Sequence, residues 1–395
     1  MHKSFCLDTD DLSKELKLLL EILKMEDGDD GFQNRREWLL DIDWDEFVSL
    51  AMHHRVYPSI YSNLKSMGEE RIPDYVVEVL YQQFKKNTFQ MLYLGAEMER
   101  LSKMFFGNEI RTLFLKGPIL AHDLYGDISL RTSCDLDILI PIQQLERVEK
   151  LLVEEGYVKD EYIQTILNDW KWRHHHVTFF HHQKHIKVEI HWRLHPGPGK
   201  EPNFEALWER KRKSSLGSYP VYLLGREDLF CFLVSHGARH GWSRLRWLVD
   251  IHQMLKQNLN WSVIKKLFKK YQNENVGGQA LILVSELLNA TTTEEMIGLI
   301  NRNRTKRLAQ GALFYLKQKI NLHTPPVPDD VAKYHSRHLF WLMSNRQRIV
   351  FMISHFYPYP IDAKTLPLPK SLHFLYFPLR PILCAWRKTR KYVFS

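Results

Sequence analysis

The sequence predicts a mixed α+β fold, a central mixed β-sheet with its own helices flanked by N-terminal and C-terminal helical regions. Three observations predict it. Val77, Phe84, Met91, Met98 and Phe105 recur at intervals of seven, the stripe of one long helix that packs on its neighbours. Between about 110 and 215, short runs rich in β-branched and aromatic residues alternate with turn residues. From Gly225 onward, Asp228–His236 and Trp247–Leu255 return to helical spacing. The expected divisions are 1–108 (helical), 109–224 (α/β core), 225–323 (helical) and 324–395 (a proline-containing linker and a basic, aromatic tail).

Composition sets the limits. The chain of 395 residues is 44% hydrophobic and 26% charged, which excludes a disordered protein and allows a large core. A net charge of +9 fits partners that carry phosphate, whether nucleotide, nucleic acid or lipid surface. Cys6, Cys134, Cys231 and Cys384 lie far apart without a C-x-x-C pair, so reduced thiols are expected. Met1 to Leu7 runs into Asp8-Thr-Asp-Asp, which is not a signal-peptide pattern. No apolar stretch is long enough for a transmembrane helix. The expected location is cytoplasmic.

Taken in order, residues 10–24 read as an amphipathic helix stopped by Gly28 and Gly31. Asp43, with Glu46 three positions on, resembles an N-cap pair for a helix toward His53. Pro73 and Asp74 suit the opening of the long helix. Arg111–Leu115 reads as a strand that ends in Lys116-Gly117-Pro118 and a short helix to Tyr125. A strand, a glycine turn and a helix start bring backbone N–H groups and an ammonium to one point, a setting for phosphate. Next comes Arg131-Thr-Ser-Cys-Asp135-Leu-Asp137-Ile-Leu-Ile-Pro141, a strand that alternates acidic and apolar residues. Alternation puts Asp135 and Asp137 on one face, roughly 6–7 Å apart. Their repulsion is about 2–3 kcal/mol at an effective dielectric near 20. A divalent cation turns that repulsion into a binding site; without one, the pair is a solvated strand edge.

Gln143–Glu155 reads as a helix closed by Gly156. Val177–Phe180 and Ile186–Trp192 read as antiparallel strands, the second carrying Glu189 and, on the same face, His191. Eight histidines lie between His174 and His195, without a zinc-type H-E-x-x-H or Cys-pair spacing, and most are expected on exposed strand positions. His236 and His240 share a face if their helix persists past Gly237, as satisfied polar positions or as substrate contacts. Asp250, in an apolar run, needs a partner, with Arg244, Arg246 or a nearby histidine as the candidates. Residues 363–395 carry seven basic side chains and no acidic one, interleaved with aromatics. That pattern fits a helix packed on the body with a solvated basic face, or contact with an anionic membrane or an RNA backbone.

Lys116-Gly117, then Arg131-x-x-x-Asp135-x-Asp137, then Glu189 followed by His191-Trp-Arg193-Leu resembles the polymerase-β-type nucleotidyltransferase superfamily. More narrowly it resembles the bacterial uncharacterised nucleotidyltransferase family. Asp43–Glu46 with Ala51–Pro58 is similar to that family's N-terminal region. Ser235–Asp250 is similar to its C-terminal signature, so the resemblance spans roughly residues 10 to 290. Where the superfamily usually has a Gly-Ser turn, this chain has Lys116-Gly117-Pro118. The resemblance implies Mg²⁺ (or Mn²⁺) held by Asp135, Asp137 and Glu189, an NTP such as ATP as co-substrate, and transfer of an NMP to an unidentified acceptor. Glu189 completes a second metal position or takes a proton. Lys116 and Gly117 steady phosphates, and Arg131 contacts a phosphate or anchors the acidic strand. His191, Arg193, His236 and His240 are candidate substrate contacts. Two alternatives share the fold: a toxin-like enzyme acting on tRNA, and a non-catalytic binding protein.

Overall fold

The computed structural model describes the chain except residues 1–4, 26–35, 68–71, 162, 164, 165, 168, 198, 323–325, 394 and 395, and for 36, 37, 66, 67 and 388–393 only the backbone. Gly28, Gly31 and the break expected at Thr324 therefore lie outside the described residues. The N-terminal helices follow their caps. The first, α1 (Lys14–Lys24), starts where the Ser13 hydroxyl accepts from the Leu16 amide. In α2 (Trp44–His53) the Asp43 carboxylate accepts from the Glu46 amide, while the Glu46 carboxylate pairs with Lys319 instead of closing a capping box. Sequence spacing gave no sign of α3 (Tyr57–Met67). The long helix α4 (Asp74–Gly107) has Pro73 just ahead of it rather than inside it. Its buried stripe runs through Val76, Leu80, Met91, Leu94, Met98, Leu101 and Phe105, and Val77 and Phe84 are only half-buried. A straight helix drifts about 20° per heptad, so a strict seven-residue row rotates off the core face over this length.

Strands β1 (Leu113–Phe114), β2 (Asp135–Leu139), β3 (Val158–Lys159), β4 (His176–His181), β5 (Ile186–His191), β6 (Arg212–Lys213) and β7 (Tyr222–Leu223) form one mixed sheet, ordered β3-β4-β5-β2-β1-β7-β6. β2 and β5 run parallel with Asp135 opposite Lys187 and Asp137 opposite Glu189. β4 and β5 are antiparallel, with His176 opposite His191. Leu136 and Ile138 of β2 and Val188 and Ile190 of β5 point to the apolar side, into a core closed by Met91, Leu94 and Phe105 of α4. The other sheet face carries the odd-numbered residues of both strands.

Helices α5 (Pro118–Tyr125), α6 (Leu145–Glu154), α7 (Trp170–Arg173) and α8 (Phe204–Glu209) lie within the sheet region. Beyond it come α9 (Arg226–Arg239), α10 (Leu245–Leu255), α11 (Trp261–Tyr271), α12 (Glu274–Leu288), α13 (Glu294–Ile300) and α14 (Asn303–Lys317). The two flanking helical regions meet in a single apolar core, where Leu16, Leu19 and Phe47 join Leu245, Leu281 and Leu313. The described residues between 326 and 393 are mostly helical, with α15 (Asp329–Leu342), α16 (Asn345–Ser354), α17 (Pro360–Thr365) and α18 (Tyr376–Val393). All four cysteines are free.

Candidate active site

Parallel pairing of β2 with β5 brings the acidic residues together. Asp137 is buried, and its Oδ1 lies 3.1 Å from His191 Nε2. The same imidazole nitrogen is 3.4 Å from Glu189 Oε2, and His176 Nε2 is 3.8 Å from that oxygen. Lys116 follows β1 directly and places its ammonium 3.1 Å from Asp137 Oδ2. That contact is an ion pair without hydrogen-bond geometry, since Oδ2 has no hydrogen-bond partner. Asp135 is the more exposed member of the acidic pair. Lys187 reaches across from the facing strand and bridges Asp135 Oδ2 at 2.8 Å and Glu189 Oε1 at 2.9 Å. The donor atoms that come within 4.8 Å of one another are therefore those of Asp137, Glu189 and His191, with Asp135 turned toward Lys187. Gly117, between Lys116 and α5, has φ +88°, a backbone conformation that favours glycine, and packs against the Asp135 carbonyl.

At Asp137, Glu189, His191 and Lys187 the charged partners outweigh burial. Burial pushes the Asp137 carboxyl up, but Lys116 and the His191 hydrogen bond outweigh it and leave the group below its ordinary range. Glu189 is likewise pushed up by burial and held far down by His191, His176 and Lys187. Burial disfavours the His191 imidazolium, yet Asp137 and Glu189 raise its pKa above the usual value. Burial and the His191 charge lower His176 to about 4. Lys187 is raised despite its burial, by Asp135 and Glu189.

The other predicted residues take different places. Arg131 is an anchor. Its Nε and Nη2 bond Asp250 at 2.8 and 3.0 Å, both side chains are 1% exposed, and Tyr125 Oη donates to Asp250 at 2.8 Å. The partner of Asp250 is thus Arg131 on the lead-in to β2, not Arg244, Arg246 or a histidine. Asn87 of α4 donates to the Ser129 carbonyl at 2.7 Å, Ser59 of α3 to Leu130 at 3.1 Å, and Arg246 of α10 to Thr132 at 2.6 Å. Arg193 is occupied by Glu201, by the Trp172 carbonyl and by the Gly199 carbonyl, which fixes the 193–201 loop. α9 does persist past Gly237, and the His236 and His240 rings lie 4.6 Å apart, with His240 stacked on Trp247. His236 feels Lys116, and burial keeps it neutral.

Sequence reasoning missed four residues at the site. Lys187 shares the parity of Glu189, and that signal was available. His175 and His176 are half-buried rather than exposed; of the eight histidines only His182 and His185 are exposed. Arg239 ends α9 in the field of Glu189, Glu201 and Asp137; its Nε is buried without a partner, and burial lowers the guanidinium to about 10. No linear pattern announces it.

A nucleotidyltransferase-like antigenic protein from Paracoccidioides brasiliensis is similar over 53% of this chain and 97% of its own, at 12% identity and a TM-score of 0.31. A nucleotidyltransferase toxin from Mycobacterium tuberculosis is similar over 61% of this chain and 83% of its own, at 15% identity and a TM-score of 0.24. Among curated proteins, no sequence matches significantly. The model of the family described as uncharacterised nucleotidyltransferase matches residues 41–289, well over half the chain. By that match the chain belongs to the uncharacterised nucleotidyltransferase family and is a transferase.

Proposed function

We propose that the protein moves an NMP from an NTP to a hydroxyl or phosphate of an acceptor, a small molecule or peptide, and releases pyrophosphate. The observation that carries this reading is the register of β2 and β5, which sets Asp137 beside Glu189 with Lys116 against the same carboxylate. The residues suit a divalent cation such as Mg²⁺ or Mn²⁺: Asp137 Oδ2 and His191 Nδ1 are buried without hydrogen-bond partners, and two carboxylates stand beside the His191 ring. Asp135, Asp137 and Glu189 would hold that cation, which supplies positive charge for the phosphate oxygens. The strongly lowered pKa of Glu189 makes it a poor base, so of its two roles that of ligand fits better.

Lys116 and Lys187 pair with the carboxylates against which phosphates of the donor would sit, and Arg239 lies in the field of Glu189 and Asp137. The acceptor oxygen bonds to the α-phosphorus as the bond to pyrophosphate breaks, and a hydroxyl proton leaves to solvent. Labelled NTPs offered with Mg²⁺ to metabolite, peptide and RNA pools test the reading. Label in the first two supports it, label in tRNA favours the toxin-like alternative, and nucleotide binding without product leaves a binding protein. Arg239→Ala is expected to raise the KM for nucleotide about tenfold with little change in kcat, the size of a lost charge-assisted hydrogen bond. Initial rates across nucleotide concentration, with a melting curve as a control for folding, check this.

The C-terminal helices support a peripheral membrane contact. Ile349, Ile353, Phe356, Ile361, Phe374 and Ile382 are each more than half exposed, and Trp341 and Trp386 nearly so. Arg346, Arg348, Lys364 and Lys370 accompany them, while Arg380 and Arg387 pair with the buried Asp362 at 2.6 and 2.7 Å. Apolar side chains with basic neighbours suit an anionic interface. No helix among the described residues is long and apolar enough to cross a membrane. The full chain is expected to co-sediment with phosphatidylserine-containing vesicles at low salt and to be released as salt rises, with Ile353→Asp and Phe374→Asp weakening the binding. No binding at low salt ends the idea, and binding to RNA but not to vesicles transfers the surface to that partner.

A further inference from the structure

We propose that the carboxylate site prefers a first-row transition metal to Mg²⁺, with His176 and His191 joining Asp137 and Glu189 as ligands. The inference rests on the transferase reading for the position of the ion and adds its chemical identity. His176 and His191 are direct partners across β4 and β5, and Glu189 lies two residues before His191 on the same face. One Glu189 oxygen, Oε2, lies 3.4 Å from His191 Nε2 and 3.8 Å from His176 Nε2, and His191 Nε2 lies 3.1 Å from Asp137 Oδ1. Metal–ligand bonds of about 2.1 Å put donors roughly 3.4 Å apart in a tetrahedral shell. Asp137, Glu189 and His191 already offer atoms within 4.8 Å of one another, and His176, which reaches Glu189, completes the shell by turning its ring toward Asp137.

Two overlapping donor sets meet at His191: Asp137–Glu189–His191 on one side and His175–His176–His191 on the other. His175 Nε2 lies 3.1 Å from His176 Nδ1, the partner on the far ring nitrogen that orients a ligating imidazole. His191 Nδ1 is buried and bonded to nothing, so the ring retains unspent donor capacity. Mg²⁺ prefers oxygen in a strict octahedron and keeps its water. Imidazole beside carboxylate suits Mn²⁺, Fe²⁺, Co²⁺ and Zn²⁺ better.

Co²⁺ titration of the full-length protein, followed by visible absorption, tests this without reference to turnover. The expected spectrum is the intense band of four- or five-coordinate cobalt, abolished by stoichiometric Zn²⁺ and unaffected by a large excess of Mg²⁺. His176→Ala is expected to weaken Co²⁺ binding by about tenfold or more, and His175→Ala by less. A weak, water-like octahedral spectrum, or displacement of Co²⁺ by an equal concentration of Mg²⁺, overturns the inference even if no variant folds. An unchanged Co²⁺ affinity in folded His176→Ala overturns it as well. Full nucleotide transfer with Mg²⁺ and no cobalt band removes this inference and leaves the transferase reading standing. A cobalt band that requires His176, with no nucleotide transferred to any pool, does the reverse.

Discussion

Asp137→Asn is expected to lower nucleotide transfer about a thousandfold while the protein stays folded. Asp137 is 1% exposed, holds Lys116 and His191, and sits in register with Glu189. Removing its charge takes away a ligand on which several kcal/mol of transition-state charge stabilisation depend, and about 4 kcal/mol is a factor of a thousand. The fold tolerates the change because Asn keeps the size of the side chain and Lys116, 17% exposed, can turn to water. Adding Asp135→Asn should extinguish what remains. Single-turnover transfer of labelled nucleotide, read beside a thermal melt, is the measurement. Transfer at the wild-type rate in the double variant would place the chemistry elsewhere.

Arg131→Ala is expected to cost about 3–5 kcal/mol of stability, the usual penalty for leaving one partner of a buried ion pair without its counter-charge. Asp250 accepts twice from that guanidinium and once from Tyr125, so the variant leaves the buried carboxylate with the Tyr125 hydrogen bond and the field of Arg246. Asp250→Asn should cost nearly as much. The Arg131→Met, Asp250→Leu double variant should recover much of the loss, because two well-packed apolar groups replace a desolvated pair at little net cost. Urea denaturation of the four proteins measures this. Single variants as stable as wild type would show that the pair does not anchor the strand.

The central features were legible because they are local. Alternation fixed the shared face of Asp135 and Asp137 and of Glu189 and His191, and the caps at Asp43 and Gly156 needed only a few neighbouring residues. What escaped was decided by pairing over long distances. Arg131 and Asp250 are 119 positions apart, whereas Arg244 and Arg246 are near at hand, and sequence proximity favours the wrong arginines. Whether His176 faces water depends on the order β4-β5-β2, which brings it beside the acids instead of leaving it on a free edge. Alternation alone cannot rank edge against interior. Composition left the tail open between a helix packed on the body and contact with a membrane or RNA, because the packing of α15 to α18 comes from contacts that no window of residues contains.

The clamp on residues 129–132 has a mechanical consequence. Three helices, α3, α4 and α10, each bond this short lead-in to β2, so the strand carrying Asp135 and Asp137 is held at its entry by all three. In the segment from Arg193 to Glu201, Glu201 accepts from Arg193 and from the amides of Leu194 and His195, and Arg193 donates in turn to the Trp172 carbonyl. The placing of the two aspartates therefore depends on Ser59, Asn87 and Arg246, which bond the backbone ahead of the strand rather than the acids themselves.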